Sequence, residues 1–422
     1  MKIVDYIIHN TKQIITLRGN NTARTGKEMQ ELSIIEHGCL AIKNEEIIDV
    51  GLQHELKSKY HPLEWVDAEN MIIIPGFVDA HTHPVFVQTR ELEFEMRIKG
   101  KTYVDIAQAG GGIIASINSV READEEHLYL LAKKRIGKMI EQGTTAIEAK
   151  SGYGLSIESE LKMLRVLNRL KNDLPLDIAI TFMGAHEFPI EYKNNRQEYI
   201  NLMINEMMPE VKKQGLAEYV DIFTEAHVYS ITESRKILLA AQKLGFKLRM
   251  HADEIEAIGG AELAAELGVV SADHLGACSL QGIQSMKHAG VIATLLPGTL
   301  FSLGSSKYAP ARTMIEAGLP VAIATDYNPG SCNLDNMQLA ISLACLQMKM
   351  LPSEAITAAT FNGACAIERQ ALYGSLEPRK KANFLLLDIP SIQFIPYHLG
   401  SNCVKKVYIS GQCVHCSRDE HY

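Results

Sequence analysis

One tryptophan in 422 residues, aromatic side chains at 6%, and no apolar run long enough for a membrane span narrow the possibilities before any motif is read. A spanning helix needs about 20 consecutive apolar residues, and none of the hydrophobic stretches comes close. The opening "MKIVDYIIHNTKQIITL" breaks its apolar residues with Asp5, His9 and Lys12, so it lacks the core of a signal peptide, and a cytoplasmic protein is expected. Charge blocks are also missing. The 42 basic and 50 acidic residues are dispersed to a net charge of −8, which disfavours a nucleic-acid or membrane surface and leaves small molecules as the expected partners. Eight cysteines lie far apart, without the regular spacing of a disulfide framework. The one close pair, Cys413 and Cys416 in "CVHC", has no second pair at matched spacing, so it reads as an ordinary terminal segment rather than a zinc ribbon.

What is present is a composition of 46% hydrophobic and 22% charged residues, able to bury a large core. Both ends of the chain are rich in short strands. "KIVDYIIHN", "QIITLRG" and the hairpin-like "GCLAIKNEEIIDVG" stand at one end, with "ANFLLLDI" and "VKKVYISGQCV" at the other. The middle alternates apolar runs with helical patterns. Eight such runs can be counted: "MIIIPGFVDAHTH", "TTAIEAKSG", "LDIAITFMGAH", "YVDIFTEAH", "FKLRMHADE", "VVSADHLG", "VIATLLPG" and "PVAIATDYNPG". Between them, stretches such as "ESELKMLRVLNRLK" place Leu161, Leu164, Leu167 and Leu170 on one helical face. Eight strand–helix units predict an α/β fold, a (β/α)8 barrel, with a doubly wound open sheet as the competing architecture. The strand-rich ends, 1–74 plus 367–422, could pair into one small β-domain, because chain termini often lie close together, leaving 75–366 as the barrel.

Catalytic groups of a barrel enzyme sit where its strands end. Here strand one ends in His81 and His83, strand three in His186, strand four in His227, strand five in His251, strand six in His274 and strand eight in Asp326. Six of the fifteen histidines stand at those ends, whereas His54, His127 and His288 fall in helical or loop stretches that suit a solvated role. Residues i and i+2 of a strand share a face, so His81 and His83 can reach one ion; alternatively they hydrogen-bond neighbouring loops. With His251 and Asp326 they make a set suited to zinc or iron with a position left for water, whose pKa such an ion lowers from 15.7 toward ~7. Asp326 then serves as ligand or proton acceptor, and His274 and Glu254 could orient the water or pass its proton on. Glu254 has a second reading, as a carboxylate favouring a helix N-terminus. Strand four carries no lysine that could be carboxylated to bridge two metals, and Lys150 of strand two is expected to pair with a carboxylate, so one ion is predicted.

These residues resemble the metal-dependent amidohydrolase superfamily, whose members carry "PGFVDAHTH"-like segments and wrap a β-sandwich from both termini against the barrel. The further set "TRELEFEMRIKGKTYVDIAQAGGGI", "KSGYGL", "GAHEFP", "HADE", "ADHL" and "ATDYNPGS" is similar, across nearly the whole chain, to the imidazolonepropionase family of histidine degradation. That resemblance implies one zinc or iron ion per subunit on His81, His83, His251 and Asp326, and it suggests a homodimer. It implies Arg90, Tyr153, His186, Glu254, Asn328, Gly330 and Ser331 around the substrate, with His274 beside the attacked carbonyl. The implied reaction opens the cyclic amide of 4-imidazolone-5-propanoate to N-formimidoyl-L-glutamate. Arg90 offers fork geometry to its carboxylate tail, unless it is taken up in a surface ion pair with Glu91 or Glu93. A purine or pyrimidine base deaminase of the same superfamily is the alternative, although a neutral base has no use for that arginine. One departure stands out: His227 occupies a position where the family usually has glycine.

Overall fold

The computed structural model describes residues 1–101, 105–106 and 109–417. Residues 102–104 and 107–108, part of the "TRELEF…GGGI" segment, lie outside the described ones. Eight parallel strands form one sheet in sequence order: β1 (Phe77–Thr82), β2 (Thr144–Lys150), β3 (Asp177–Ala185), β4 (Tyr219–Thr224), β5 (Lys247–Ala252), β6 (Ser271–His274), β7 (Ile292–Leu295) and β8 (Val321–Ile323). The segment after β8 closes the ring, with Asp326 N–H donating to His81 O at 3.1 Å and His83 N–H to Tyr327 O at 2.8 Å. Helices cover the outside. In Ile157–Asp173, Leu161, Leu164, Leu167 and Leu170 are all buried, and the Ser156 hydroxyl caps the first turn by accepting from Ser159 N–H.

Both chain ends meet in one sheet. Phe384–Leu387 pairs antiparallel with Ile72–Pro75, and Val404–Ile409, Gln412–Cys416, Gln13–Ile15 and Ile34–Glu36 extend it to six strands. A four-stranded sheet of Lys2–His9, Gly38–Lys43, Glu46–Leu52 and Tyr60–Asp67 packs over it, with Ile8, Leu40, Ile73 and Leu386 in the layer between. The alternate residues Ile72, Ile74, Leu385 and Leu387 join the barrel's own core, which is why "IIIP" and "FLLL" read as unbroken apolar runs. Within the strand-rich N-terminal stretch two short helical segments appear, the 3-10 turn Gly26–Gln30 and the α-helix Gln53–Lys59.

The run "MIIIPGFVDAHTH", read from sequence as a single strand, is two. Ile72–Pro75 belongs to the terminal sheet and Phe77–Thr82 to the barrel, and the chain changes sheets at Gly76. A Cβ at Gly76 would stand 2.2 Å from Thr145 Oγ1, so only glycine allows the crossing to lie this close to β2.

Inside the barrel, Arg249 of β5 is fully buried and ties three segments together. Its guanidinium donates to Ala366 O at 2.6 Å and Ala80 O at 2.8 Å, and pairs with Asp273 of β6 at 3.2 Å. Removing one partner of a buried, hydrogen-bonded pair leaves an uncompensated charge. Arg249→Met should therefore lower the free energy of unfolding by about 3–5 kcal/mol, read by chemical denaturation. An unchanged midpoint would show that the pair contributes no stability.

Candidate active site at the strand ends

His81 and His83 lie at the end of β1 with both rings buried, their Nε2 atoms 3.3 Å apart. Asp326 Oδ1 stands 3.5 Å from the first and 3.6 Å from the second. Asp326 reaches this point because the chain after β8 turns through a left-handed backbone at φ 54°, and its Oδ2 accepts from Thr299 Oγ1 at 2.6 Å. His251 and His274, ending β5 and β6, close the group. Their ring centroids are 5.0 Å apart, and that of His251 is 4.5 Å from that of His81. Ligating atoms of His81, His83 and Asp326 lie within 4.8 Å of one another, as do those of His81, His251 and His274.

Beneath the histidines is a layer of buried charge, of which sequence reading named only Lys150. Asp273 Oδ2 accepts from His81 Nδ1 at 2.6 Å, and Asp221 Oδ1 from His251 Nδ1 at 3.1 Å. Lys150 sits between Glu148 at 2.9 Å and Asp221 at 2.8 Å, so its expected carboxylate partners are found. Burial opposes the Lys150 charge, but Asp221 and Glu148 outweigh it and raise the group above its ordinary range. The signal in sequence was an acid inside each of "YVDIFT", "SADH" and "TTAIEAK", and an arginine inside "KLRMHA", where a barrel interior ordinarily takes aliphatic residues.

This donor set fits one divalent cation. Burial first, then Lys150 and the neighbouring imidazoles, holds His81 well below the ordinary histidine range, so it is neutral. With its proton on Nδ1, facing Asp273, its Nε2 presents a lone pair toward Asp326 Oδ1. The Asp326 carboxyl is pushed up to about 6 by burial, so at neutral pH it is mostly ionised. Two buried acceptors 3.5 Å apart are suited to holding a cation between them. Among the described residues Glu148, Asp221 and Asp273 share the two buried cations Lys150 and Arg249, while Asp326 lies against His81, His83 and Thr299 with no lysine or arginine in ion-pair range, so a divalent ion there would offset the excess of carboxylates.

The remaining sequence-selected residues line a cavity of about 980 Å³ above this cluster. His186 stacks on His83 with centroids 5.2 Å apart and donates from Nδ1 to Gly152 O at 3.1 Å. Tyr153 is held by its own loop: the buried Glu160 accepts N–H bonds from Gly152, Gly154 and Leu155. Glu254 lies 3.5 Å from His274 Nδ1, and burial, reinforced by Asp326 and Glu225, pushes its carboxyl up to about 8. The following helix begins only at Gly260, where Asp253 accepts from Gly260 and Ala261 N–H, so the helix-start role belongs to Asp253. Glu225 was not found from sequence; it accepts from Ile255 N–H at 2.9 Å and fixes the loop that carries Glu254.

Asn328, also lining the cavity, organises its own loop, its Oδ1 accepting from Gly330 and Ser331 N–H at 2.8 Å each. Arg90 borders the same cavity and forms the ion pair with Glu93 that sequence reading held as the alternative, through Nε at 2.9 Å and Nη2 at 2.7 Å. His227 stands exposed at the rim, its ring 6.0 Å from that of Phe223, away from the buried cluster.

Residues 72–414 match the profile of the Amidohydrolase family. The imidazolonepropionase of Alkaliphilus metalliredigens is 45% identical over 415 residues, covering 98% of each chain. That of Clostridium tetani is 46% identical over 417 residues, covering 98% of this chain and 99% of the relative. Among solved structures, an adenosine deaminase from Xanthomonas campestris with bound zinc superposes with a TM-score of 0.72 at 18% identity, over 98% of this chain and 93% of the other. The guanine deaminase of E. coli gives 0.71 at 16%, over 98% and 99%. Such low identities speak for the shared fold, while the near-complete matches at 45% place the sequence more finely. The chain belongs to the amidohydrolase family and, within it, to the imidazolonepropionases.

Proposed function

We propose that the protein hydrolyses the cyclic amide of 4-imidazolone-5-propanoate to N-formimidoyl-L-glutamate. The observation that carries this reading is one cavity lined both by converging histidine and carboxylate donors and by the Arg90 guanidinium. His81, His83, His251 and Asp326 would hold one zinc or iron ion, which when bound supplies Lewis acidity and an acidified water. The carboxylate tail lies toward Arg90, which places the ring over the histidines. Water adds its oxygen to the ring carbonyl carbon, the carbon–nitrogen bond opens, and the freed nitrogen takes up a proton. Asp326, Glu254 and His274 are the groups close enough to carry those protons; the 3.5 Å between Glu254 and His274 Nδ1 lets the two work as a pair. Tyr153 and His186 wall the ring on one side and Asn328, Gly330 and Ser331 on the other. A base deaminase of the same fold would release ammonia and would gain nothing from Arg90.

Metal-loaded protein incubated with imidazolone propanoate should consume the ring absorbance. No turnover with either zinc or iron, or ammonia release from guanine or cytosine instead, would overturn the reading. Arg90→Ala should raise KM by about tenfold or more with metal content unchanged, as expected for loss of a charge-assisted contact to the tail. Metal loss in that variant would make Arg90 structural. Asp326→Asn should abolish turnover, and near-normal activity would remove Asp326 from the water-activating group.

Glu254 also gives the metal-free protein a pH dependence. Its folded carboxyl ionises near 8 against an ordinary 4.5, so between those values the unfolded chain binds fewer protons than the folded one. Stability of the chelator-treated protein should therefore fall as pH rises from about 7 to about 8, above the range in which the buried His81, His83, His186 and His274, held below their ordinary range, act in the opposite direction. Glu254→Gln should flatten that slope in denaturation midpoints, and an unchanged slope would assign it to other groups.

A further inference from the structure

The cation end of the cavity holds more charge than Arg90 alone. Arg90 commits Nε and Nη2 to Glu93 Oε2, and Glu93 is itself fixed, its Oε1 accepting from Gly112 N–H at 2.8 Å. Glu93 is only 7% exposed, so the pair acts on a ligand nearly as a dipole rather than as a free cation. Arg97, near the end of the same helix Glu91–Ile98, lines the same cavity. Among the described residues no carboxylate pairs with it, and its Nε–H is buried without a partner. Its Nη2 donates to Gly330 O at 3.3 Å. Gly330 also packs on Arg90, since a Cβ there would lie 2.3 Å from Arg90 Nη1. Two guanidiniums thus meet on one glycine with a single carboxylate between them, leaving one positive charge over. Gathering like charges beside a partly buried surface is unfavourable unless an anion joins them.

We propose that Arg97 is the second cation of the tail subsite and a specificity-determining residue: with Arg90 and Glu93 it makes this end of the cavity select a ligand ending in one carboxylate. The proposal rests on the reading of a carboxylate-tailed substrate given above. Gly330 N–H is already taken by Asn328, so that backbone donor does not substitute for the side-chain charge.

The test uses the metal-loaded enzyme and two stable probes, imidazole-4-propanoate and its neutral propanamide, with Kd measured by calorimetry. Wild type should prefer the carboxylate. Arg97→Met, which keeps the apolar stem, should weaken propanoate binding by about tenfold and leave the amide unchanged. Arg97→Lys should retain most of the preference. In turnover of imidazolone propanoate, Arg97→Met should raise KM with kcat within about twofold. A Met variant that keeps the full preference, or that weakens both probes equally, would overturn the proposal and make Arg97 a support for the Gly330 loop alone. A wild type with no preference for the carboxylate would overturn the proposal together with the tail assignment beneath it.

Discussion

Two cations sealed beneath the histidines, Lys150 and Arg249, hold the floor of the site, and the geometry above depends on them. β2, β4, β5 and β6 each send a charged side chain to one level of the barrel interior: Glu148 and Lys150, Asp221, Arg249 and Asp273. Burying so many charges is unfavourable unless each finds partners, and here the cations reach carboxylates from neighbouring strands. The outcome is directional. Asp273 and Asp221 lie in hydrogen-bond contact with Nδ1 of His81 and His251, which fixes the orientation of both rings.

Ring closure supplies the other half of the donor set. β8 is only three residues long, and what joins it to β1 is the segment carrying Asp326, bonded through its own backbone to His81 O. The same two hydrogen bonds that complete the barrel therefore bring Asp326 against His81 and His83. His274 and Asp326 both sit in left-handed backbone, at φ 74° and 54°, a cost of roughly 1–3 kcal/mol each that the packed strand ends must sustain.

The barrel was legible because its strands alternate with helices and end in histidines, and the leucine face of Ile157–Asp173 packs as its spacing indicates. The division of "MIIIPGFVDAHTH" was not, since both halves are buried on two faces and give one apolar run; only the clearance at Gly76 separates them. Ligand-type residues could be chosen because chemistry restricts them to His and Asp at strand ends. The carboxylates that orient them could not, because a lone Asp in "YVDIFT" carries no sign of which histidine lies across the sheet. Glu160 and Glu225 were hidden for a similar reason: they act on backbone N–H groups of loops, and a loop's path is not written in any periodic pattern.

Fold and selectivity part company at the cavity mouth. Proteins that share this architecture at 16–18% identity bear the names of purine deaminases, so the barrel floor alone does not choose a substrate. In this chain the covalent path is short: six residues, 84–89, separate His83 of the donor cluster from Arg90, and one helix turn further Glu93 pairs with that guanidinium. Because His83 and Arg90 both follow directly from β1, the path between them is a short stretch of chain anchored on a strand. Under the proposed tail assignment a ligand would have to match charge and length at once, since Arg90 and Arg97 meet at Gly330 with one carboxylate, Glu93, between them.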